Sequence, residues 1–275
     1  MAKGLGIIGN FKGKVGNIVG YNLKDSNNKQ TQGLRAYQPV VRNPKTAAQA
    51  EQRAKMAPIN ATYRALKGII DRGQEGVAYG NKSRLRFLSE AMKQFDCPWF
   101  MKGEAVTLPI KTNITRGSLS SVPLQSVTAQ QINTQLQLGQ SARVDTVAAV
   151  STALIANNSY LKEGDQLTFV LTDMKVVDVF SIILNTTDTT ALTVFNNSDA
   201  TIIYSHSGAT LDTKVCGCVI LSREGESGQH LRSTTALTLS TAAAADTHYT
   251  STAKDAAIES YMAANGNTDW PEESL

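Results

Sequence analysis

The chain has 275 residues, of which 41% are apolar, 18% are charged and three are cysteine, with a formal charge of +4. That apolar content excludes a disordered polypeptide, because burying it offsets the entropy the chain loses on folding. Three cysteines exclude a disulfide framework, and no stretch holds the roughly 20 apolar residues of a membrane-spanning helix.

The opening MAKGLGIIGN lacks an apolar core ahead of a small-residue cleavage site, so no secretory leader is expected. The charge is unevenly placed. Residues 1–100 carry 17 Lys and Arg against 6 Asp and Glu, a net of +11, whereas residues 101–275 carry 10 against 17, a net of −7. Such an asymmetry points to a partner for one part of the chain, either a polyanion or an acidic protein surface.

Taken in chain order, the first 20 residues hold six glycines, with Lys3, Lys12 and Lys14 among them. Ordering so much glycine is costly in entropy, so the segment settles only against something or forms strands whose backbones approach closely. Val15, Ile18, Val19 and Tyr21 favour strand, Asp25 to Asn28 is a turn signal, and Gln30 to Tyr37 can return as a second strand. The expectation is a hairpin over 14–38 with a long polar tip.

Helix signals begin at Asn43-Pro44, a capping residue followed by proline where its missing N–H matters least. The run TAAQAEQRAKM favours helix, and Pro58 is expected to break or kink it. A second helix over 58–71 places Ile59, Tyr63, Leu66 and Ile70 on one face, and Gly73 closes it. A third over 81–95 carries the stripe Leu85, Leu88, Met92 and Phe95, after which Cys97 to Phe100 reads as a packed connection.

Beyond about residue 104 the texture becomes Ser, Thr and Val with period-two alternation. Strands are expected at 105–111, 131–138, 166–172, 177–184, 201–205, 214–223 and 231–239. A helix or insertion over 141–158 interrupts them, and a helix over 251–264 precedes an acidic tail. Short strands at this spacing suggest a sandwich or barrel. The expected fold class is α+β: a basic N-terminal hairpin and helices over 1–103, then a β-sandwich-like domain over 104–275 with a C-terminal helix.

Few motifs carry chemistry. Gly4-Leu-Gly-Ile-Ile-Gly9 has the letters of a dinucleotide loop but neither a strand before it nor a helix pattern after it. Cys216 and Cys218 lie within an apolar strand and, like Cys97, read as core, with no histidine at metal-binding spacing. Glu224 and Glu226 fall in a solvated turn. No cofactor, metal or catalytic constellation is expected, and an enzyme is disfavoured. A cleft gathering His206, His230 and an acid would revive a catalytic reading. An exposed Trp99 or Trp270 would favour a cell-surface ligand- or glycan-binding module.

The remaining candidates are basic. Lys3, Lys12, Lys14, Lys24, Lys29, Arg35, Arg42, Lys45, Arg53 and Lys55 are opposed within that stretch only by Asp25 and Glu51. Lysine and arginine bind backbone phosphates without reading sequence, and exposed glycine N–H groups can approach phosphate as well. With few aromatic residues for base stacking, the expected nucleic-acid contact is non-specific.

Gly9-x-Phe-x-Gly-Lys-Val-Gly-x-x-Val-Gly20, followed by Arg42-Asn-Pro-x-Thr-x-Ala-Gln and Gln52-Arg53, resembles an uncharacterised domain family of Bacteroidota and their phages. Leu221-Ser-Arg and Leu231-Arg-Ser are more loosely similar to that family's C-terminal region. Where typical members carry an aromatic-rich hairpin after the glycines, Lys24 to Gln32 is longer and polar here. The resemblance implies a bacterial or phage origin and a helical part followed by a β-rich part. The function expected is that of a non-enzymatic structural or assembly protein of a phage particle, in the virion or the bacterial cytoplasm. It would work as a homo-oligomer or within a multi-protein assembly, its basic arm on nucleic acid or on an acidic neighbouring subunit.

Overall fold

The computed structural model describes residues 13–24, 30–37, 46–93, 96–139, 144–198, 201–206, 208, 211–226 and 228–263. The fold is α+β. Two compact units divide the chain, Met1–Pro44 and Lys45–Leu275.

In the first unit, β1 (Gly13–Val15), β2 (Ile18–Lys24) and β3 (Gln30–Ala36) form one antiparallel sheet in that order. Val15 pairs with Ile18 across the two-residue turn Gly16-Asn17, and Gly16 takes φ 57°. That positive φ at the first central position is what a tight hairpin turn of this kind requires, and glycine supplies it without steric cost. β2 and β3 form the hairpin expected from the sequence, while its polar tip at 25–29 lies outside the described residues.

The second unit opens with α1 (Ala47–Ala65), capped by Thr46, whose hydroxyl accepts the Gln49 N–H at 3.3 Å. The expected cap, Asn43-Pro44, lies outside the described residues. Pro58 does not break the helix. It is buried, with Ala54 and Ile59 buried beside it, and Thr62 returns its hydroxyl to the Pro58 carbonyl at 2.8 Å. Burial of this face outweighs the one hydrogen bond that proline removes. A short α2 (Lys67–Ile70) follows, and Ile59, Tyr63, Leu66 and Ile70 are all buried as their spacing indicates.

α3 (Asn81–Ala91) corrects its expected stripe. The face it buries is Ser83, Phe87 and Ala91, while Leu85 is 56% exposed and Phe95 lies outside the described residues. Two of the three buried positions are small, while Leu88 and Met92 of the expected stripe are half-buried against the same core, so the stripe is displaced rather than reversed. The expected strand at 105–111 does not form, and β4 (Asn113–Thr115) comes slightly later.

The β-rich portion follows as β5 (Leu124–Val127), β6 (Gln131–Gln137), α4 (Val147–Asn157), β7 (Gln166–Thr172), β8 (Val177–Ile183), β9 (Phe195–Ser198), β10 (Thr201–Ser205) and β11 (Cys216–Glu224). The expected strand at 231–239 is broken into β12 (His230–Arg232), β13 (Thr235–Ala236) and β14 (Thr238–Leu239). These pair with β11, β4 and β11 respectively. Then come α5 (Thr241–Ala244), a 3₁₀ turn (Thr247–Tyr249) and α6 (Ser251–Ala263). One sheet has the order β5-β6-β10-β9 and the other β12-β11-β7-β8 with β14 attached to β11.

The second of these sheets is buried on both sides at its centre. Leu167, Phe169 and Leu171 of β7 and Val219 and Leu221 of β11 join a core with Ile132 and Leu136 of β6 and Ile202 and Tyr204 of β10. Gly217 lies on this side, where an added Cβ would sit 3.2 Å from Ile132 and Val127, so glycine lets the sheets close. Alternate residues Val170, Cys216, Cys218 and Ile220 point the other way and pack with Ile59, Leu66, Ile70 and Phe87 of the helices. Burial on both faces explains why β11 reads as a continuous apolar run rather than an alternating one. The expected division near residue 103 is therefore not where the units meet. The helices and the sheet share a core, and the boundary falls at Pro44–Lys45. Among the described residues no helix is long and apolar enough to cross a membrane.

Candidate polyanion-binding surface

The three-stranded sheet sorts its side chains by face. Lys14 and Arg35 both stand opposite Val19, one on either side of it, so a row Lys14–Val19–Arg35 crosses the sheet. With a period of two, Tyr21 and Tyr37 belong to this face. The Lys14 ammonium lies 3.4 Å from the centre of the Tyr37 ring. Tyr21 covers its partner Gly33, where a Cβ would come within 2.6 Å of the ring, so a side chain there would lift the tyrosine. Ile18, Leu34 and Ala36 line the opposite face. Lys14, Arg35, Tyr21 and Tyr37 are exposed, and so are Ile18 and Leu34, at 42% and 55%. Ile18, Val19, Tyr21, Leu34 and Tyr37 belong to none of the three hydrophobic cores.

Lys14 and Arg35 are thus the sequence candidates that the structure brings together. Lys24 ends β2, while Lys3, Lys12, Lys29, Arg42 and Lys45 lie outside the described residues. Arg53 and Lys55 are on α1 of the second unit, Arg53 exposed and Lys55 only 5% exposed. Lys55 reaches Glu51 at 3.7 Å and sits over the Trp99 ring at 5.8 Å, so it braces the interior rather than presenting a free cation. Sequence reading missed the two tyrosines, although their period-two register with Val19 and Arg35 was available once the hairpin was paired.

The other candidates fall apart or turn inward. His206 and His230 do not share a cleft. His206 Nδ1 lies 2.7 Å from Asp178, which also accepts the Tyr204 hydroxyl at 2.5 Å. Burial and that carboxylate push the Tyr204 phenol upward. Trp99 is 5% exposed and forms no open platform, and Trp270 lies outside the described residues. Burial pushes the Cys97 thiol up to about 11 and that of Cys216 up to about 12. Neither forms thiolate at neutral pH, in keeping with core positions.

His248 is held from both sides, Nδ1 at 2.6 Å from Asp246 and Nε2 at 3.0 Å from Glu104, with Phe100 stacked at 4.4 Å. Burial opposes the charged imidazole, but the two carboxylates overcome it and raise the pKa of His248 above 6.5. Burial likewise opposes the Asp246 carboxylate, which the His248 N–H groups and the Lys214 ammonium bring down to about 2. The staple is complete between the ordinary carboxylate value of 4.5 and the ordinary imidazole value of 6.5. It weakens as pH rises through the raised value of His248, and again as pH falls toward 2. Denaturation midpoints of wild type and His248→Gln, compared across pH, should differ most in that interval and converge above it.

A cavity of about 430 Å³ lies between residues 72–79 and 229–232, lined among others by Arg72, Gln74, Glu75, Tyr79, His230 and Arg232. Glu75 anchors it, accepting from the backbone N–H of Arg232 at 3.0 Å and from the backbone and hydroxyl of Ser118, both at 2.9 Å. Burial would raise the pKa of this carboxyl, but those donors outweigh it and lower it. Gly117 backs the same junction: an added Cβ would lie 2.1 Å from the Arg232 carbonyl oxygen. Glu75 meets Ser118 from 43 positions away and Arg232 from 157, and no spacing in the sequence announces the junction.

Compared with known proteins, the chain matches no protein-family model, no curated protein and no solved structure.

Proposed function

We propose that this is a non-enzymatic structural or assembly protein of a phage particle, whose N-terminal sheet presents cations to a polyanion. The observation that carries the reading is the sheet's cationic face, with Lys14 and Arg35 beside Tyr21 and Tyr37. Interleaved cations and aromatic rings suit a phosphate backbone with unstacked bases, and equally an acidic partner surface. The opposite aliphatic face supports an assembly role. Ile18 and Leu34 are exposed on that face, and covering them with a neighbour would stabilise the sheet. The phage setting rests on the resemblance carried by residues 9–20 and 42–53.

Retention on heparin or DNA separates the possibilities. The full chain should elute at higher salt than a chain lacking residues 1–43, which keeps every residue of the three hydrophobic cores. Lys14→Glu with Arg35→Glu in the full chain should reproduce most of that loss and flatten the salt dependence. Equal retention of all three proteins would remove the sheet from the function.

A further inference from the structure

We infer that β8 is the meeting surface of two copies of this chain, which pair it antiparallel with itself about Phe180. β8 runs seven residues at the edge of its sheet, bonded only to β7 and in a register without a shift. The other edges of the two large sheets are shorter. β5 and β9 have four residues, β12 three and β14 two, and the register of β5 shifts. Short or bulged edges, and lysine or proline on the strand, are how sheets discourage pairing with other chains. Val177-Asp-Val-Phe-Ser-Ile-Ile183 has none of these. Its one charged side chain, Asp178, is already held by the Tyr204 hydroxyl and His206 Nδ1.

The bonds at both ends of the strand fix which backbone groups face outward. Leu184 gives its N–H to Asp165 at 2.7 Å and accepts from Gly164 at 2.8 Å, and the Val176 carbonyl accepts from Asp173 at 3.3 Å. In an antiparallel ladder such positions alternate, so the even-numbered residues face β7. Val177, Val179, Ser181 and Ile183 therefore turn their N–H and C=O groups away from the sheet, and among the described residues these groups have no partner. Val179 is 49% exposed and Ile183 59%, so the edge is apolar as well as open.

A second copy suits this edge. Pairing about Phe180 sets Val177 against Ile183 and Val179 against Ser181 of the other copy, and every outward backbone group then gains a partner. Asp178 faces Ile182 of the other copy rather than its own counterpart, so like charges do not meet. Lys175 comes opposite Asn185, next to Thr186, whose hydroxyl donates to Glu163 at 3.0 Å. The two ends of the strand thus bring a cation toward a carboxylate. A two-fold contact of this kind closes on itself at a dimer. The inference rests on β8 and not on the N-terminal sheet.

Sedimentation velocity of the full chain across a concentration series tests it. A one-strand contact lies at the small end of interfaces, so dimers should form at about 10–100 µM. The chain lacking residues 1–43 should dimerise equally. Val179→Pro removes an outward N–H without costing a bond to β7, and Ile183→Lys puts a charge on the edge. Each should weaken dimerisation by about tenfold or more and leave the melting midpoint of dilute protein little changed. Val179→Cys combined with Ser181→Cys should cross-link two copies on mild oxidation, the paired Cα atoms standing about 5.5 Å apart. Val179→Cys alone should cross-link far more slowly, because its counterpart lies on the diagonal, about 7–8 Å away.

A monomer throughout the series, or a dimer indifferent to both Val179→Pro and Ile183→Lys, overturns the inference. Dimerisation that disappears with residues 1–43 also overturns it, since the contact would then belong to the N-terminal sheet. Growth of the truncated chain beyond a dimer does the same.

Discussion

Arg223→Ala is expected to destabilise the protein by about 3–5 kcal/mol, measured by denaturant unfolding. Asp165 is completely buried, and Arg223 meets it with both prongs of the guanidinium, Nε to Oδ1 at 2.5 Å and Nη2 to Oδ2 at 2.7 Å. Nη2 also donates to the Tyr160 carbonyl at 2.9 Å, and the Lys162 N–H supports Oδ2 at 2.8 Å. Truncating the arginine leaves a carboxylate in the interior with the Lys162 backbone N–H and no counter-ion. The penalty is chiefly that of the stranded charge, and it can be separated from the worth of the pair. Asp165→Asn combined with Arg223→Met should recover most of the loss. If the double variant is as unstable as Arg223→Ala, the geometry of the pair rather than its charge holds this corner.

Phe169→Ala should cost a similar amount, about 3–5 kcal/mol, by opening a cavity where both sheets meet. Its ring is fully buried and lies 5.2 Å from Phe195, 5.2 Å from Tyr204 and 6.5 Å from Phe180, centroid to centroid. Those partners come from β9, β10 and β8, so one side chain joins three other strands across the two layers. Val179→Ala on β8 makes the control. That side chain is 49% exposed, and its truncation should change stability by no more than about 0.5 kcal/mol. Comparable losses for the two would mean that the sandwich interior is not where the stability resides.

The outcome element by element shows what a sequence can carry. Gln131 to Gln137 alternates because one face is solvated, and the strand is where its pattern puts it. Ile59, Tyr63, Leu66 and Ile70 sit at helical spacing and are all buried. Legibility fails where the packed group is small or the partner is distant. α3 turns inward on Ser83 and Ala91 around a single Phe87, leaving Leu85 outside. Pro58 persists in a helix because tertiary burial overrides a local penalty. The basic stretch was visible as charge, but only the strand register shows that Lys14 and Arg35 share a row, and only packing shows that Lys55 is spent on Glu51 and Trp99. The junction of Glu75 with Arg232 was beyond reach, since nothing in the sequence links two segments 157 positions apart.

The two-sided burial of β11 also sets a timetable for biosynthesis. Ile70 emerges from the ribosome about 150 residues before Cys216, the first residue of the strand it must pack on. At roughly 5–20 residues per second, that is a wait on the order of ten seconds. Until then the greasy sides of the early helices have only part of their native cover, from Trp99, Ile110, Ile114 and Val170. Synthesis of this protein should therefore depend on chaperone supply more than its modest size would suggest. A stop codon anywhere ahead of residue 216 should yield product that aggregates rather than a smaller folded piece.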